Sequence, residues 1–238
     1  MTGPAAQPPG LQRTADPAKG DEAARALIRA LSANRLAPYR MATEPGLGAV
    51  LRLYRWDAAV AGALHEDLGV VEVVLRNALA GALQRRHERA GWDGGWWTDP
   101  ERLLDTRDRA AVAAAVDGAE RNRPVGGPVP AGLGFGFWRG LLNARYDCLW
   151  APALREAFPH LPSRDREDAR RRIVPLAELR NRVAHHEPVH GEDLHGAHAA
   201  AIAVVGFVCP VTARWMTATS RVPALLACRP DGPARLAA

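Results

Sequence analysis

Apolar residues recur along this chain with the three-to-four spacing of helices, and no run alternates with the period of a half-buried strand. Ala24, Leu27, Ile28 and Leu31 form a short first stripe from Asp21, stopped near Asn34 and Pro38. Val50, Leu51, Tyr54, Ala58, Ala61 and Leu64 predict a second helix from Gly46 into the sixties. The most regular ridge follows, with Leu68, Val71, Leu75, Leu79 and Ala82 predicting a helix over 66–88. A turn-rich aromatic loop over 91–100 carries Trp92, Trp96 and Trp97, and an alanine-rich helix is expected over 101–120. Residues 121–132, with three prolines and three glycines, read as the longest internal loop. Further helices are predicted over 137–158 and 163–173, the latter started by Pro162 and Ser163. Val174-Pro175 predicts a break and a new start that runs to Pro188 with Leu176, Leu179 and Val183 inward. A last helix over 194–218 buries Ile202, Val205, Phe207 and Val208. The expectation is an all-α helical bundle: a disordered arm over 1–20, a single domain over 21–220 and a loose tail over 221–238.

Composition narrows the class. At 238 residues, 47% hydrophobic and 24% charged, the chain is an ordinary globular protein with length for a sizeable core. Its net charge of +5 and pI near 9.7 lean toward an acidic partner such as nucleic acid. Lys19 is the one lysine, so the cations are almost all arginines. That fits forked phosphate recognition, and it fits a GC-rich genome equally well. Cys148, Cys209 and Cys228 are far apart and odd in number, as expected of reduced thiols in a cytoplasm. No apolar leader opens the sequence, and the run from Ala199 to Cys209 is too short to cross a bilayer, so no membrane association is expected.

Chemistry concentrates in Glu178-Leu179-Arg180-Asn181-Arg182-Val183-Ala184-His185-His186-Glu187-Pro188. An arginine, an amide and two adjacent imidazoles make up the set that phosphate chemistry near neutral pH uses: a fixed cation, an orienting group and a titratable base. A polar helix face would look the same. Glu72 and Arg76 form a second constellation, one turn apart beside the ridge of Leu68, Val71 and Leu75. They are either a surface ion pair or, being at least half buried, a positioned element. On an unbroken helix Arg180 and His185 project roughly 140° apart, so either the helix unwinds before Pro188 or a second subunit completes the site. Arg182 is a substrate contact or an ordinary pair with Glu178. His186-Glu187-Pro188-Val189-His190 fits a zinc-protease spelling, but Pro188 opposes the continuous helix that would put both histidines on one face.

Leu53-Tyr54-Arg55-Trp56-Asp57, Val71-Glu72-Val73-Val74-Leu75-Arg76-Asn77, Phe135-Gly136-Phe137-Trp138 and Leu179-Arg180-Asn181-Arg182-Val183-Ala184-His185-His186 occur in that order. In these stretches, spanning about 47–190, the sequence resembles the Abi-like (abortive infection, AbiD/AbiF-type) branch of the HEPN superfamily. Arg180-Asn181 with His185 matches that family's R-x4-6-H signature, and Glu72 with Arg76 its E-x3-[KR] element. Asp57 and Gly134 depart from the family's usual Asn and Ser.

The resemblance implies a HEPN-like bundle with extra helices and a metal-independent endoribonuclease that works as a homodimer across a shared cleft. RNA supplies its own 2′-hydroxyl nucleophile, so neither metal nor organic cofactor is required. His185 would take the hydroxyl proton, Arg180 would hold the phosphorane oxygens, and Asn181 would orient either partner. Glu72, Arg76 and His186 would support the motif, with Glu72 an acceptor for Arg180, and Arg182 would contact the RNA backbone. An abortive-infection or toxin-antitoxin role adds an RNA or protein antitoxin as partner. The rival reading is a non-catalytic module that binds RNA, nucleotide or another protein.

Overall fold

The computed structural model describes residues 21–98, 104–121 and 129–230. The expected arm over 1–20 and most of the 121–132 loop lie outside the described residues. Among the described residues the chain is all-α, with short 3-10 turns and no strand. No helix there is long and apolar enough to cross a membrane. Packing divides the described residues into two compact units, 21–59 with 227–230, and the described part of 60–226.

In the first unit, α1 (Asp21–Leu31) leads into α2 (Ala33–Met41) and α3 (Leu47–Arg89) begins. Pro38, expected to stop the chain, lies inside α2. Leu36, Tyr39, Val50, Leu53 and Trp56 are buried together with Asp57. Tyr39 donates its hydroxyl to Asp57 Oδ2 at 2.7 Å, and burial with this carboxylate pushes the phenol's pKa upward. The Leu53-Tyr54-Arg55-Trp56-Asp57 stretch is therefore largely core, with Arg55 on the exposed face.

The sequence predicts two helices where α3 is one. No proline interrupts 47–89, and isolated glycines such as Gly62 and Gly69 cost only about 1 kcal/mol each. Burial of Val60, Leu64, Leu68, Val71, Leu75 and Leu79 outweighs that, at about 1.5–3 kcal/mol per large side chain. The predicted helix over 137–158 is broken instead. After α4 (Thr106–Arg121) come α5 (Phe135–Gly140) and α6 (Asp147–Trp150), joined by turns at Gly140 and Asn143. Trp138 is fully buried here, its indole donating to the Leu133 carbonyl at 3.0 Å, with Phe137 and Trp96 rings 5.0 and 6.0 Å away.

α7 (Arg166–Ala184) starts on Asp165, whose carboxylate accepts from Asp168 N at 3.1 Å. Ser163 supports this cap rather than making it, accepting from Asp165 N and donating to Asp168. The predicted break at Val174-Pro175 does not occur: Pro175 sits exposed inside α7. An internal proline costs about 3 kcal/mol. Ile173, Leu176, Leu179 and Val183, all buried on the opposite face, offset it. The predicted helix over 194–218 divides into α8 (Leu194–Val208) and α9 (Pro210–Thr219), because Pro210 cannot donate into α8 and instead takes the first position of α9. α7 packs on α8 and α8 on α9. A short α10 (Val222–Ala227) replaces the loose chain expected from residue 222.

Candidate functional site

The buried stripe of Leu176, Leu179 and Val183 fixes the rotation of α7 and leaves Arg180 at its edge. Across from it, Val71 and Leu75 are buried on α3 and set Glu72 beside Arg180. Arg180 Nε donates to Glu72 Oε2 at 3.1 Å, with the two side chains 33% and 18% exposed. Glu72 binds one edge of the guanidinium. Among the described residues the two terminal amino groups of Arg180 have no protein partner, and together they are the end that grips an anion bidentately. Glu72 does not pair with Arg76, whose Nε reaches the neighbouring Asn77 Oδ1 at 3.4 Å.

α7 ends where the signature does. His185 is the C-cap residue (φ −92°, ψ 9°), its N–H donating to the Asn181 carbonyl at 2.9 Å. His186 follows in the left-handed region at φ 56°. His186 N–H donates to Val183 and Glu187 N–H to Arg182, at 3.0 and 2.8 Å, so the last carbonyls are satisfied as in a Schellman cap. The helix stops ahead of Pro188 but only after His185, whose N–H still makes the helical bond to the residue four before it. The roughly 140° between Arg180 and His185 therefore holds within one chain, and the structure does not bring the two side chains together. Asn181, His185 and His186 are exposed, and none makes a side-chain hydrogen bond among the described residues.

His186 holds a conformation that costs a residue bearing a Cβ about 1–2 kcal/mol and glycine far less. His186→Gly is expected to raise unfolding stability by about 0.5–1 kcal/mol in urea titration. A loss of stability would mean that the imidazole has a structural partner.

Arg182 is occupied. Its Nε donates to Glu187 Oε2 at 3.2 Å and its Nη1 to Glu192, while Glu178 lies 3.6 Å from Arg139. The pairing with Glu178 expected from helical spacing is absent, and two loop carboxylates take its place. His186-Glu187-Pro188-Val189-His190 is not helical, so the zinc-protease spelling lacks its geometry. Among the described residues no three metal-ligating side chains gather. A cleft of about 530 Å³ lined by Trp96, Trp97, Leu104, Arg109 and Val112 includes none of these residues. The signature stands on open surface.

A second polar cluster escapes the motif reading. Buried Asp67 of α3 accepts from Ser220 Oγ at 2.6 Å, and His198 Nε2 of α8 lies 3.0 Å from the same hydroxyl and 3.5 Å from Asp67 Oδ2. Burial pushes the Asp67 carboxyl above its usual range, and the serine bond and His198 pull it back. The types match a hydrolase triad, but the geometry does not. A triad imidazole uses its two nitrogens on two partners, and here one nitrogen faces both. Ser220 gives its proton to Asp67 and accepts from His198 and from Val222 N at 3.2 Å, so its hydroxyl is saturated. The cluster fastens the α9–α10 junction to α3. One member carried a signal: Asp67 falls on the same helical face as Leu64, Leu68 and Val71, which buries it, though its partners could not be read from the sequence.

Compared with protein-family models, with curated proteins and with solved structures, the chain matches none.

Proposed function

We propose that this chain is a metal-independent endoribonuclease with a HEPN-like bundle, of the kind used in abortive-infection or toxin-antitoxin defence. One observation carries the reading: Arg180 is held through Nε by Glu72 with its terminal amino groups unclaimed, just ahead of an exposed His185 that closes the helix. An arginine anchored on one edge meets a phosphate at low entropic cost. His185 takes the proton of the RNA 2′-hydroxyl as that oxygen attacks the adjacent phosphorus. Arg180 neutralises the phosphorane oxygens, and the P–O5′ bond breaks. The leaving 5′-oxygen takes its proton from solvent water, and the His185 imidazolium returns its proton to solvent. The products are a 2′,3′-cyclic phosphate and a 5′-hydroxyl. The open setting of the signature suits a cleft completed by a second copy of the chain in a cytoplasmic homodimer, restrained by an RNA or protein antitoxin.

Incubating the purified protein with total RNA in EDTA tests this. Fragments ending in cyclic phosphate are expected, and RNA left intact at micromolar protein overturns the nuclease. A binding-only module is the second reading, and the carboxylates of Glu187 and Glu192 on Arg182 favour it, since they occupy a cation that a substrate would use. Tight RNA binding without cutting would select it.

A further inference from the structure

We infer that α9 carries a platform for unpaired RNA bases, built on Trp215 and Arg214. This deepens the reading of the chain as RNA-directed, and it names the substrate class as single-stranded RNA.

Trp215 is the one tryptophan of seven whose side chain is largely in solvent, at 56% exposure, and Val211 one turn earlier is 64% exposed. Ala213 and Met216 of the same helix are buried, so α9 is seated by its other face and the exposed side is not a fraying end. An indole left in water on a well-packed helix forgoes about 2 kcal/mol of burial unless something covers it.

Charge chooses the occupant. From Leu194 to Arg221 the sequence contains no aspartate or glutamate. Arg214, adjacent to Trp215, is exposed and has no carboxylate partner among the described residues. Arg221, at the far end of α9, is satisfied by Glu66 at 2.5 Å. The stretch that carries the indole is thus cationic and apolar, with no acid of its own to repel a polyanion, and Glu66 near its end is paired with Arg221. A base stacks on an exposed indole whatever its identity, and a neighbouring guanidinium meets the phosphate that precedes or follows it. Duplex RNA keeps its bases stacked on each other and offers the indole nothing. An apolar protein partner would use Trp215 and Val211 equally well but has no need of the unpaired arginine.

The test uses the full chain carrying His185→Ala, so that RNA stays intact, and a fluorescein-labelled oligoadenylate 20-mer with a duplex of equal length. Titration of the single strand should quench tryptophan emission, and Trp215→Ala should weaken its binding about tenfold by anisotropy. Trp215→Phe should stay within about threefold of the parent, Arg214→Ala should flatten the salt dependence, and duplex affinity should not change. Because Trp215 is exposed, the variants should melt with the parent protein. Unchanged single-strand binding in Trp215→Ala overturns the inference, as does an equal loss for strand and duplex. A Trp215→Ala protein that falls from dimer to monomer also overturns it, by assigning the face to a second copy. Binding that depends on Trp215 in a protein that never cuts RNA would sink the nuclease and leave the platform standing. Cutting with Trp215-independent binding would do the reverse.

Discussion

Under the proposed function, Arg180→Ala and His185→Ala are each expected to lower RNA cleavage at least about 100-fold while leaving the melting transition nearly in place. The figure expected for His185 follows from the contribution of about 10²–10⁴-fold that a general base makes, the role proposed for it, and that for Arg180 from its proposed role as a preorganised charge at the phosphorane. His185 is exposed and without a side-chain partner, so its removal costs the fold little. Arg180 is two-thirds covered and bound to Glu72, whose carboxylate is 18% exposed and gains water when the covering guanidinium is removed. Glu72 acts through Arg180, so its variants separate position from charge. Glu72→Gln keeps an acceptor for Arg180 Nε and is expected to retain most activity, whereas Glu72→Ala frees the guanidinium and lowers kcat about tenfold with little change in KM. Cleavage assayed in EDTA with end mapping reads all four variants. Full activity in Arg180→Ala would remove the proposed site.

Trp138→Ala is expected to cost about 3–5 kcal/mol, a large share of the ~5–15 kcal/mol that holds a domain together. Trp138 has no exposed surface, lies against Phe137 and Trp96, and gives its only donor to Leu133. The ring sits on α5, a helix of six residues that is too short to hold itself without tertiary packing. Trp138→Phe restores part of the volume but leaves the Leu133 carbonyl without its partner, and should fall between the two at about 1–3 kcal/mol. Urea denaturation monitored by far-ultraviolet circular dichroism measures both. A loss below 1 kcal/mol in the alanine variant would mean that this cluster is not central to the core.

Helix content was legible because the apolar ridges are long and their period is unmistakable, as along Leu68, Val71, Leu75 and Leu79. Boundaries were not, wherever proline was weighed alone. Pro38 and Pro175 read as stops and lie inside helices, because burial on the facing side exceeded their cost. Pro210, inside a predicted helix, does divide the chain. The contact between Arg180 and Glu72, set 108 positions apart, was expected only from the resemblance that links their two motif pieces, and in the structure the core ridge beside each residue fixes its direction. Helical spacing misdirected the partners of Arg76 and Arg182, since pairing by spacing alone ignores the loop that returns after Pro188 and brings Glu192 back. Ser220 and His198 on Asp67 were invisible to any local pattern, being joined over 153 and 131 positions (220 − 67 and 198 − 67) by tertiary packing alone.

Pro175 has one more effect. Lacking an amide hydrogen, it cannot continue the backbone ladder to Arg171, so the half of α7 that bears Arg180 is steered less by the half before it than in an ordinary helix. Its bearing comes from the apolar side chains beneath it and from Glu72 on a different element. Transplanting residues 166–190 into a foreign bundle would therefore carry the spelling of the signature and leave its aim behind, and a designer wishing to move this site would have to move the stretch of α3 around Glu72 with it.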